Sequence, residues 1–412
     1  QIELNFKIEN NPAASERERR EAQQRHNEAR KQRDLLLAGE SAFNSDFYTY
    51  RYLASQGFLP GYNFPALPVR AFIEKHGMGG FLSRTRSVAL TEYGPFNRIY
   101  HEGGQYQVER VLLSPRDPEE RFRRAKLCKL CGYLHAGPAA AYDRCEFCGC
   151  SLRGDNARFL AALLEMPTLA ARRRSRITCD EEERLRKGFE VGHYFRFAQG
   201  TDGRQQRQDA QCLTPTDEAV LRMTYAPATT LWSINHKWRA AQEDGFLLDL
   251  NRGRWLRREE QARPEANVRS QVQLFVRNTA NAILIAPPAE TMPEEAEALL
   301  HTLQYALVRG LNATFQVEPG ELAGEVIGRG DEQRLLMWEA AEGGLGVLRR
   351  LVDEPDAIAA VARQALDILH FDPETGEDRR PPEDAEKGCA AACYDCLLSY
   401  FNQRHHGILQ RH

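Results

Sequence analysis

Two closely spaced cysteine pairs constrain the fold more than any other feature of this sequence. They are Cys128 with Cys131 and Cys145 with Cys148, and thirteen residues separate the two pairs. Each pair fits a tight turn and the arm between them can fold back, so four thiolates can surround one tetrahedral zinc ion. A glycine follows the second cysteine of each pair, where the turn needs a residue that tolerates positive φ. A four-cysteine site leaves no open coordination position, so we expect a structural zinc. The alternative is two redox dithiols, or thiols whose spacing arises by chance.

A second cysteine-rich segment ends the chain and indicates another metal site. Cys389, Cys393 and Cys396 fall within eight residues, but a closed site needs a fourth ligand. No cysteine follows them, so the nearest donors are His405 and His406, of which we predict His406. The alternative is a group of three reduced, buried thiols without a metal.

The clustering of the cysteines also bears on the compartment. Seven of the ten cysteines belong to these two segments, which is typical of metal sites in a reducing environment rather than of disulfides. The sequence has no signal peptide and no apolar run long enough to cross a bilayer. We therefore expect a cytoplasmic protein with no membrane partner. Because the sequence begins with Gln1, we also expect it to come from within a longer polypeptide.

One basic segment stands out in a chain whose net charge is only −3. Residues 121–190 carry 15 Lys or Arg and 9 Asp or Glu, so this segment can meet a polyanion although the whole chain is almost neutral. Its densest part is predicted to contact nucleic-acid phosphates, and the alternative is a solvated surface. The residues are Arg172, Arg173, Arg174 and Arg176.

The order of the local patterns predicts a multidomain protein of α+β and α/β class. A β-rich region that contains a zinc-ribbon-like module precedes a mixed α/β domain, which ends in the second zinc site. The predicted units are 1–42 (strand and polar helical arm), 43–120 (helix and small β-unit), 121–155 (zinc module), 156–265 (mostly antiparallel strands), 266–380 (α/β domain) and 381–412 (cysteine-rich module).

Near the N-terminus, alternating apolar residues predict a strand at 1–9. Ser15 and Glu18 form the capping-box pattern of a polar helix that runs to about Leu37. Residues 43–73 are dense in aromatics, which we expect to form core rather than to stack on bases.

Further along, strands are predicted across 81–113, including 87–90, with a hairpin at Gly103-Gly104. A helix is predicted to begin at Cys179. Later strands are predicted at 194–199, 219–235, 245–256, 270–276 and 281–288, and an amphipathic helix at 292–311.

A glycine-rich turn is predicted between a strand and a helix near the C-terminus. Its backbone amides, at Gly343, Gly344 and Gly346, can bind an anion, although such turns also serve only for close packing. The sequence has no P-loop motif, so we do not expect it to bind ATP by that route. A hydrolase would have to recruit carboxylates from separate segments, with Glu339 or Glu342 as the first candidates.

Several of these motifs together resemble a known family. The stretches GFLPGYNFP, SRTRSVALTEYGP, RSRITCDEEERLRKGF, EAAEGGLGVLRRL and CAAACYDCLLSYFNQ, with the first zinc module, are similar to the C-terminal part of MrfA-like superfamily 2 DEAD/DEAH helicases. That part carries a zinc-binding domain, and large relatives belong to the DISARM and Druantia anti-phage systems. Members of the family carry four cysteines in the terminal site, whereas this chain offers three.

The resemblance implies a part of an ATP-dependent DNA translocase in anti-phage defence or DNA repair. It implies DNA as a partner, with two motor lobes upstream in the same polypeptide that bind ATP and Mg²⁺. Two alternatives remain open at this point. One is an assembly module that docks a partner subunit of a defence complex, and the other is a metal-dependent nuclease.

Overall fold

The structure is a computed structural model that describes residues 2–12, 14–37, 67–75, 78–113, 121–176, 188–257, 259, 267–288, 296–341, 343–382 and 388–412. The helices are α1 (Ile2–Glu9), α2 (Glu16–Leu37), α3 (Arg86–Glu92), α4 (Ala296–Phe315), α5 (Val347–Asp353) and α6 (Ala357–Ile368). The aromatic residues within 43–66 and the helix predicted from Cys179 lie outside these ranges.

Most of the strands lie in the middle of the chain, between residues 69 and 286. They are β1 (Val69–Lys75), β2 (Met78–Arg84), β3 (Arg98–His101), β4 (Gly104–Val111), β5 (Phe122–Cys128), β6 (Leu134–Ala136), β7 (Ala157–Glu165), β8 (Leu169–Arg176), β9 (Phe189–Arg196), β10 (Gln208–Leu213), β11 (Ala219–Trp238), β12 (Phe246–Asp249), β13 (Arg254–Leu256), β14 (Val268–Ala286), β15 (Leu322–Ile327) and β16 (Arg334–Glu339).

These strands form one mixed sheet, whose main path runs β2-β1-β8-β4-β13-β12-β14-β7-β5-β6. Two long antiparallel strands, β11 and β14, pair from Arg222 with Ala286 to Asn235 with Leu274 and carry β9, β10, β16 and β15 beside them. Most pairs are antiparallel, but β1 with β8 and β14 with β7 are parallel. The predicted mixture of α and β structure is confirmed, and the strands predicted at 270–276 and 281–288 are parts of one strand. The six predicted units stay a prediction, although the sheet continues across the boundary placed at 265.

The strand predicted at residues 1–9 is wrong, since residues 2–9 form α1. The segment packs against α2 instead of a sheet edge: the rings of Phe6 and His26 meet edge to face at 5.6 Å, and Glu9 lies 3.0 Å from His26 Nδ1. The predicted cap of α2 is confirmed, because the amide of Glu18 donates to Ser15 Oγ and Ser15 N–H donates to the Glu18 carboxylate.

The strand predicted at residues 87–90 is also wrong, because these residues lie in α3. Leu90 is buried in the core, and its carbonyl accepts a hydrogen bond of 3.0 Å from the buried amide of Asn235. Four apolar residues are too few for periodicity to separate strand from helix. The hairpin after them is confirmed, but its turn residues are Glu102 and Gly103, one position earlier than predicted, because Gly104 already belongs to β4. Both turn residues have positive φ, as a type I′ turn requires.

The helices near the C-terminus cover one face of the sheet. In α4, Leu300, Leu307 and Leu311 are buried, whereas Leu299 is 39% exposed. Gly310 lets α6 approach closely, because a Cβ at this position would lie 2.7 Å from the carbonyl oxygen of Val361. In the part of the chain that the structure describes, no helix has the length and apolar character needed to span a bilayer.

Candidate zinc centres and an arginine-rich strand

The first cysteine cluster lies where β5 ends. Cys128 closes that strand, and the sulfur atoms of Cys128, Cys131, Cys145 and Cys148 all lie within 4.8 Å of one another. Each pair sits on a tight turn, in which the amide of Gly132 donates to Cys128 O and that of Gly149 donates to Cys145 O. Both glycines have positive φ, 78° and 72°, so the structure brings the predicted ligands together on the turns that the spacing indicates.

This cluster is part of the hydrophobic core. Cys128 and Cys131 are fully buried and Cys145 is 4% exposed, while aromatic rings of Tyr133 and Phe195 pack beside them. The pKa of the Cys131 thiol is raised, chiefly by hydrogen bonding to Cys128 and then to the other two thiols. Four thiolates, three of them buried, would repel one another without a cation, so the donor set, its spacing and its burial fit Zn²⁺.

The second cluster contains a histidine that the sequence interpretation did not select. His370 lies with Cys389, Cys393 and Cys396, whose ligand atoms are again within 4.8 Å of one another. Its Nε2 is 3.2 Å from Cys393 Sγ. His370 follows α6 with a φ of 70°, and this left-handed turn directs the chain back toward the cysteines. Three thiols and one imidazole are a usual donor set for structural zinc.

The predicted fourth ligand, His406, is placed elsewhere, which corrects that prediction. Its Nε2 lies 2.9 Å from Asn402 Oδ1 and 3.0 Å from the carbonyl oxygen of Ser399, so it stabilises the 3₁₀ turn after the last cysteine. His405 Nδ1 lies 2.7 Å from the hydroxyl of Tyr305 on α4. His405 and His406 therefore both have other partners. His370 was not predicted because it precedes the three cysteines in the sequence, whereas the predicted donors follow them.

A buried arginine holds the second cluster together. The side chain of Arg411 has no exposed surface, and it donates five hydrogen bonds to four residues. These acceptors are the carbonyl oxygens of Leu369, Arg380 and Cys389 and both carboxylate oxygens of Asp378. Since Leu369 precedes the ligand His370 and Cys389 is a ligand, Arg411 fixes the two ligand segments relative to each other.

The arginine-rich segment lies on β8, near one end of the sheet. Arg172, Arg173 and Arg174 are exposed, and Arg174 donates to Gln107 and Glu109 on the adjacent strand β4. The side chains of Arg172 and Arg173 form no hydrogen bond or ion pair with any residue that the structure describes, although their backbones pair with β4. Arg176 ends the strand opposite Gly104, and its side chain lies outside the described atoms.

A cavity of about 380 Å³ opens beside this strand. Arg174 lines it together with two further arginines, Arg254 and Arg257, from β13 and the residues that follow it. Glu109 and Glu259 also line the cavity, so its net charge is lower than the three arginines alone suggest. The sheet thus collects basic side chains from segments that are far apart in sequence.

The glycine-rich turn binds a carboxylate of the protein itself. Glu339, 2% exposed at the end of β16, accepts hydrogen bonds from the amides of Leu345 and Leu348 and from the side chain of Asn281. Gly343, Gly344 and Gly346 all have positive φ, which shapes the turn around this carboxylate. The side chain of Glu339 therefore occupies the predicted anion site. Because this carboxylate is buried and accepts three hydrogen bonds, Glu339 has a structural role rather than a hydrolytic one. Glu342 lies outside the described residues.

These features define a mixed α/β protein with two sites suited to structural zinc. Residues 303–397, which include His370 and all three cysteines of the second cluster, match the family model described as the MrfA Zn-binding domain. The C-terminal part of this chain is thus an MrfA-like zinc-binding region. No curated protein matches the chain.

Three solved structures are similar to the chain at low identity. The DUF1998 helicase MrfA bound to DNA has a TM-score of 0.37 at 10% identity, with 81% of this chain and 31% of that chain covered. The same helicase bound to DNA and AMPPNP has a TM-score of 0.29 at 10% identity, with 80% and 29% covered. MrfA alone has a TM-score of 0.32 at 10% identity, with 80% and 32% covered. The chain spans about a third of the length of that protein.

Proposed function

We propose that this chain is the zinc-stabilised, DNA-contacting part of an ATP-dependent helicase of the MrfA type. The observation that carries the proposal is the match of residues 303–397 to the zinc-binding domain named after MrfA, a helicase whose structure has been determined with DNA bound. The lack of a P-loop motif in this sequence agrees with motor lobes, and hence ATP and Mg²⁺ sites, elsewhere in the same polypeptide. A role in anti-phage defence or in DNA repair remains a prediction.

The proposed DNA contacts are the arginines of β8. Arg172 and Arg173 are exposed and have no partner among the described residues, so they can approach phosphates without breaking a protein ion pair. Arg174 differs, because it would have to leave Glu109 or contact DNA while paired with it. Contacts of this kind give affinity that does not depend on base sequence and that falls steeply with salt.

The test is a fluorescence-anisotropy titration of labelled duplex and single-stranded oligonucleotides at several salt concentrations. The double variant R172A/R173A removes two predicted phosphate contacts, so the slope of log K against log salt for duplex DNA should become shallower by about 1.8. The matched control is R349A/R350A. This double variant also removes two charges, but these two arginines of α5 are paired with Asp353 and with Glu354, the residue that follows the helix. Lack of DNA affinity even at low salt, or equal slopes for the two double variants, would contradict the proposal.

A second candidate function is assembly with a partner subunit, as a defence complex would require. Three aromatic side chains of the terminal module favour it: Tyr394, Tyr400 and Phe401 are 64%, 76% and 93% exposed. Exposed aromatic rings in one small module are typical of protein interfaces. If this function is correct, Y400S/F401S should lose a stoichiometric partner in affinity purification and keep its DNA affinity. F159S, which alters a 57% exposed ring on β7, is the control.

A further inference from the structure

A fifth cysteine touches the first zinc cluster. Cys150 is not one of the four converging sulfurs, but its Sγ lies 3.3 Å from Cys128 Sγ. This distance is shorter than the 3.8 Å between Cys128 and Cys148 or the 3.6 Å between Cys131 and Cys145, which are members of the predicted ligand set. Cys150 therefore lies as close to Cys128 as the ligand sulfurs lie to one another, although a four-coordinate zinc does not need it.

The ligand turn itself fixes the position of Cys150. The amide of Cys145 donates a 2.9 Å hydrogen bond to the carbonyl oxygen of Cys150, and Arg144 and Ser151 pair as an isolated bridge around them. Gly149, at a φ of 72°, reverses the chain between Cys148 and Cys150. Because these bonds belong to the same turn that presents two ligands, Cys150 cannot leave the cluster without disturbing it.

Exposure separates the five thiols into two groups. Cys128, Cys131 and Cys145 are buried, whereas Cys148 and Cys150 are partly exposed. Cys150 is thus the thiol that a small oxidant in solution can reach without first displacing zinc. Its neighbour Cys128 is fully buried and can react with Cys150, but it is shielded from solvent.

We propose that Cys150 is an oxidation site through which a hydroperoxide opens the first zinc centre. In the first step, the Cys150 sulfur attacks a peroxide oxygen, the O–O bond breaks, and Cys150 becomes a sulfenic acid while hydrogen peroxide is reduced to water. In the second step, the Cys128 thiolate attacks the sulfenic sulfur, an S–S bond forms, and the S–O bond breaks with hydroxide leaving as water after protonation. Two thiols and one peroxide give one disulfide and two water molecules.

The second step removes one of the four zinc ligands. A thiolate that has become part of a disulfide no longer binds zinc as a thiolate does, so the remaining three sulfurs hold the ion less tightly. The consequence reaches the sheet, because β5 ends at Cys128 and pairs with both β6 and β7. Oxidation at this site should therefore loosen the zinc module and leave the rest of the sheet in place.

The experiment uses the whole chain, purified reduced and loaded with zinc, and exposes it to hydrogen peroxide. Zinc release is followed with a chromogenic chelator, and disulfides are mapped by trypsin and tandem mass spectrometry without reduction. Trypsin separates residues 127–129, 130–144 and 145–153, so Cys128, Cys131 and Cys150 fall in different peptides. Fragmentation of the cross-linked pair then distinguishes Cys150 from Cys145 and Cys148.

The expected result is a Cys128–Cys150 disulfide in the native sequence that forms together with zinc release. C150S should bind the same amount of zinc when reduced and should release it roughly tenfold more slowly, because the accessible attacking thiol is gone. C212S is the control, since Cys212 is a partly exposed thiol on β10 outside both clusters, and it should behave as the unmodified chain.

Three outcomes would overturn the proposal. Release from C150S at the native rate would show that the oxidant acts on another sulfur. A disulfide that joins two of the four ligands would show the same in the native sequence, even if C150S fails to fold. Loss of zinc from reduced C150S would make Cys150 a ligand rather than an oxidation site.

Discussion

The two cysteine clusters differ in where their donors come from. The first takes all four from residues 128–148, on two turns that flank β6. The second takes three from one short segment and a fourth from His370, which is 23 positions before Cys393. The first cluster is surrounded by apolar core, including the rings of Tyr133 and Phe195. The second also packs against apolar residues, including Leu369, Leu397 and Leu409, but it adds a buried polar network, that of Arg411. Among the described residues, the two clusters therefore differ in that only the second is tied to its neighbours by a buried charged side chain as well as by apolar packing.

The difference predicts different costs for losing the metal. The first site lies among apolar core residues at the β5–β6 end of the sheet, so loss of its zinc leaves buried thiols facing one another. The second joins the end of the chain to α6, so its loss should release a terminal module. Variants at the two sites should accordingly differ in how far the disturbance extends through the chain.

The largest effect should follow from Cys131→Ser in the first cluster. Structural zinc contributes on the order of 10 kcal/mol in zinc-finger peptides, so losing one buried thiolate should remove that zinc and unfold the segment between β5 and β7. Hydrogen exchange should show lost protection in β5, β6 and β7, and elemental analysis should show about one zinc fewer than in C212S, the control. Full protection of β5 in C131S would contradict this comparison of the two clusters, because the sheet would then fold without the first zinc site.

The two clusters also show what a sequence can and cannot predict. Cys128, Cys131, Cys145 and Cys148 could be identified because their spacing and the glycines after them encode the local turns. His370 could not, because its approach depends on where α6 ends and on one left-handed residue, neither of which is visible in a spacing pattern. Arg411 was missed for a related reason: a lone arginine carries no sign that it will be buried.

The fold shows the same division between local and tertiary information. The β3–β4 hairpin and the Ser15 cap depend on neighbouring residues and were predicted correctly. Residues 2–9 have an alternating pattern but form a helix, because packing against α2 decides their conformation. The glycine turn was located correctly, but its ligand, Glu339, could only be identified from the structure.

His370→Ala should have the next largest effect and sharpens the assignment of the second site. Removing one of four donors should lower the zinc content from two per chain to about one, while the first cluster keeps its metal. His406→Ala is the matched control and should retain both zinc ions, since that imidazole bonds to Asn402 and Ser399. The reverse pattern, with zinc lost from H406A and retained in H370A, would restore the ligand that the sequence favoured.

Arg411→Met tests how much the buried polar network adds to the second cluster. The substitution leaves Asp378 and three backbone carbonyl oxygens without their donor, so it should lower stability clearly. R379M is the control, because Arg379 also bridges two carboxylates but is 47% exposed, so its loss should lower stability much less. Chemical denaturation should separate the two variants. Equal stability would mean that zinc, rather than Arg411, holds the module in place.

The smallest expected effect is a difference in acid sensitivity between the sheet and the terminal module. In the sheet, burial lowers the pKa of His236 to about 4 from its ordinary value of 6.5, so the unfolded chain takes up a proton at a pH where the folded chain does not. Stability from this residue is complete above pH 6.5 and is lost as the pH falls toward 4, by about 2 kcal/mol between pH 7 and pH 5. In the terminal module, the hydrogen bond from Arg411 lowers the pKa of Asp378 to about 2, so that pair persists through the same range.

The measurement is the free energy of unfolding of the native chain and of His236→Phe at several pH values. The variant loses the hydrogen bond between Tyr194 and His236 and should be less stable at pH 7, but its stability should fall less as the solution is acidified. Protonation of zinc ligands contributes to both proteins and cancels in the difference. If the two curves stay parallel down to pH 5, His236 is not the acid-sensitive group of the sheet, and the contrast between a neutral buried histidine and a buried ion pair fails.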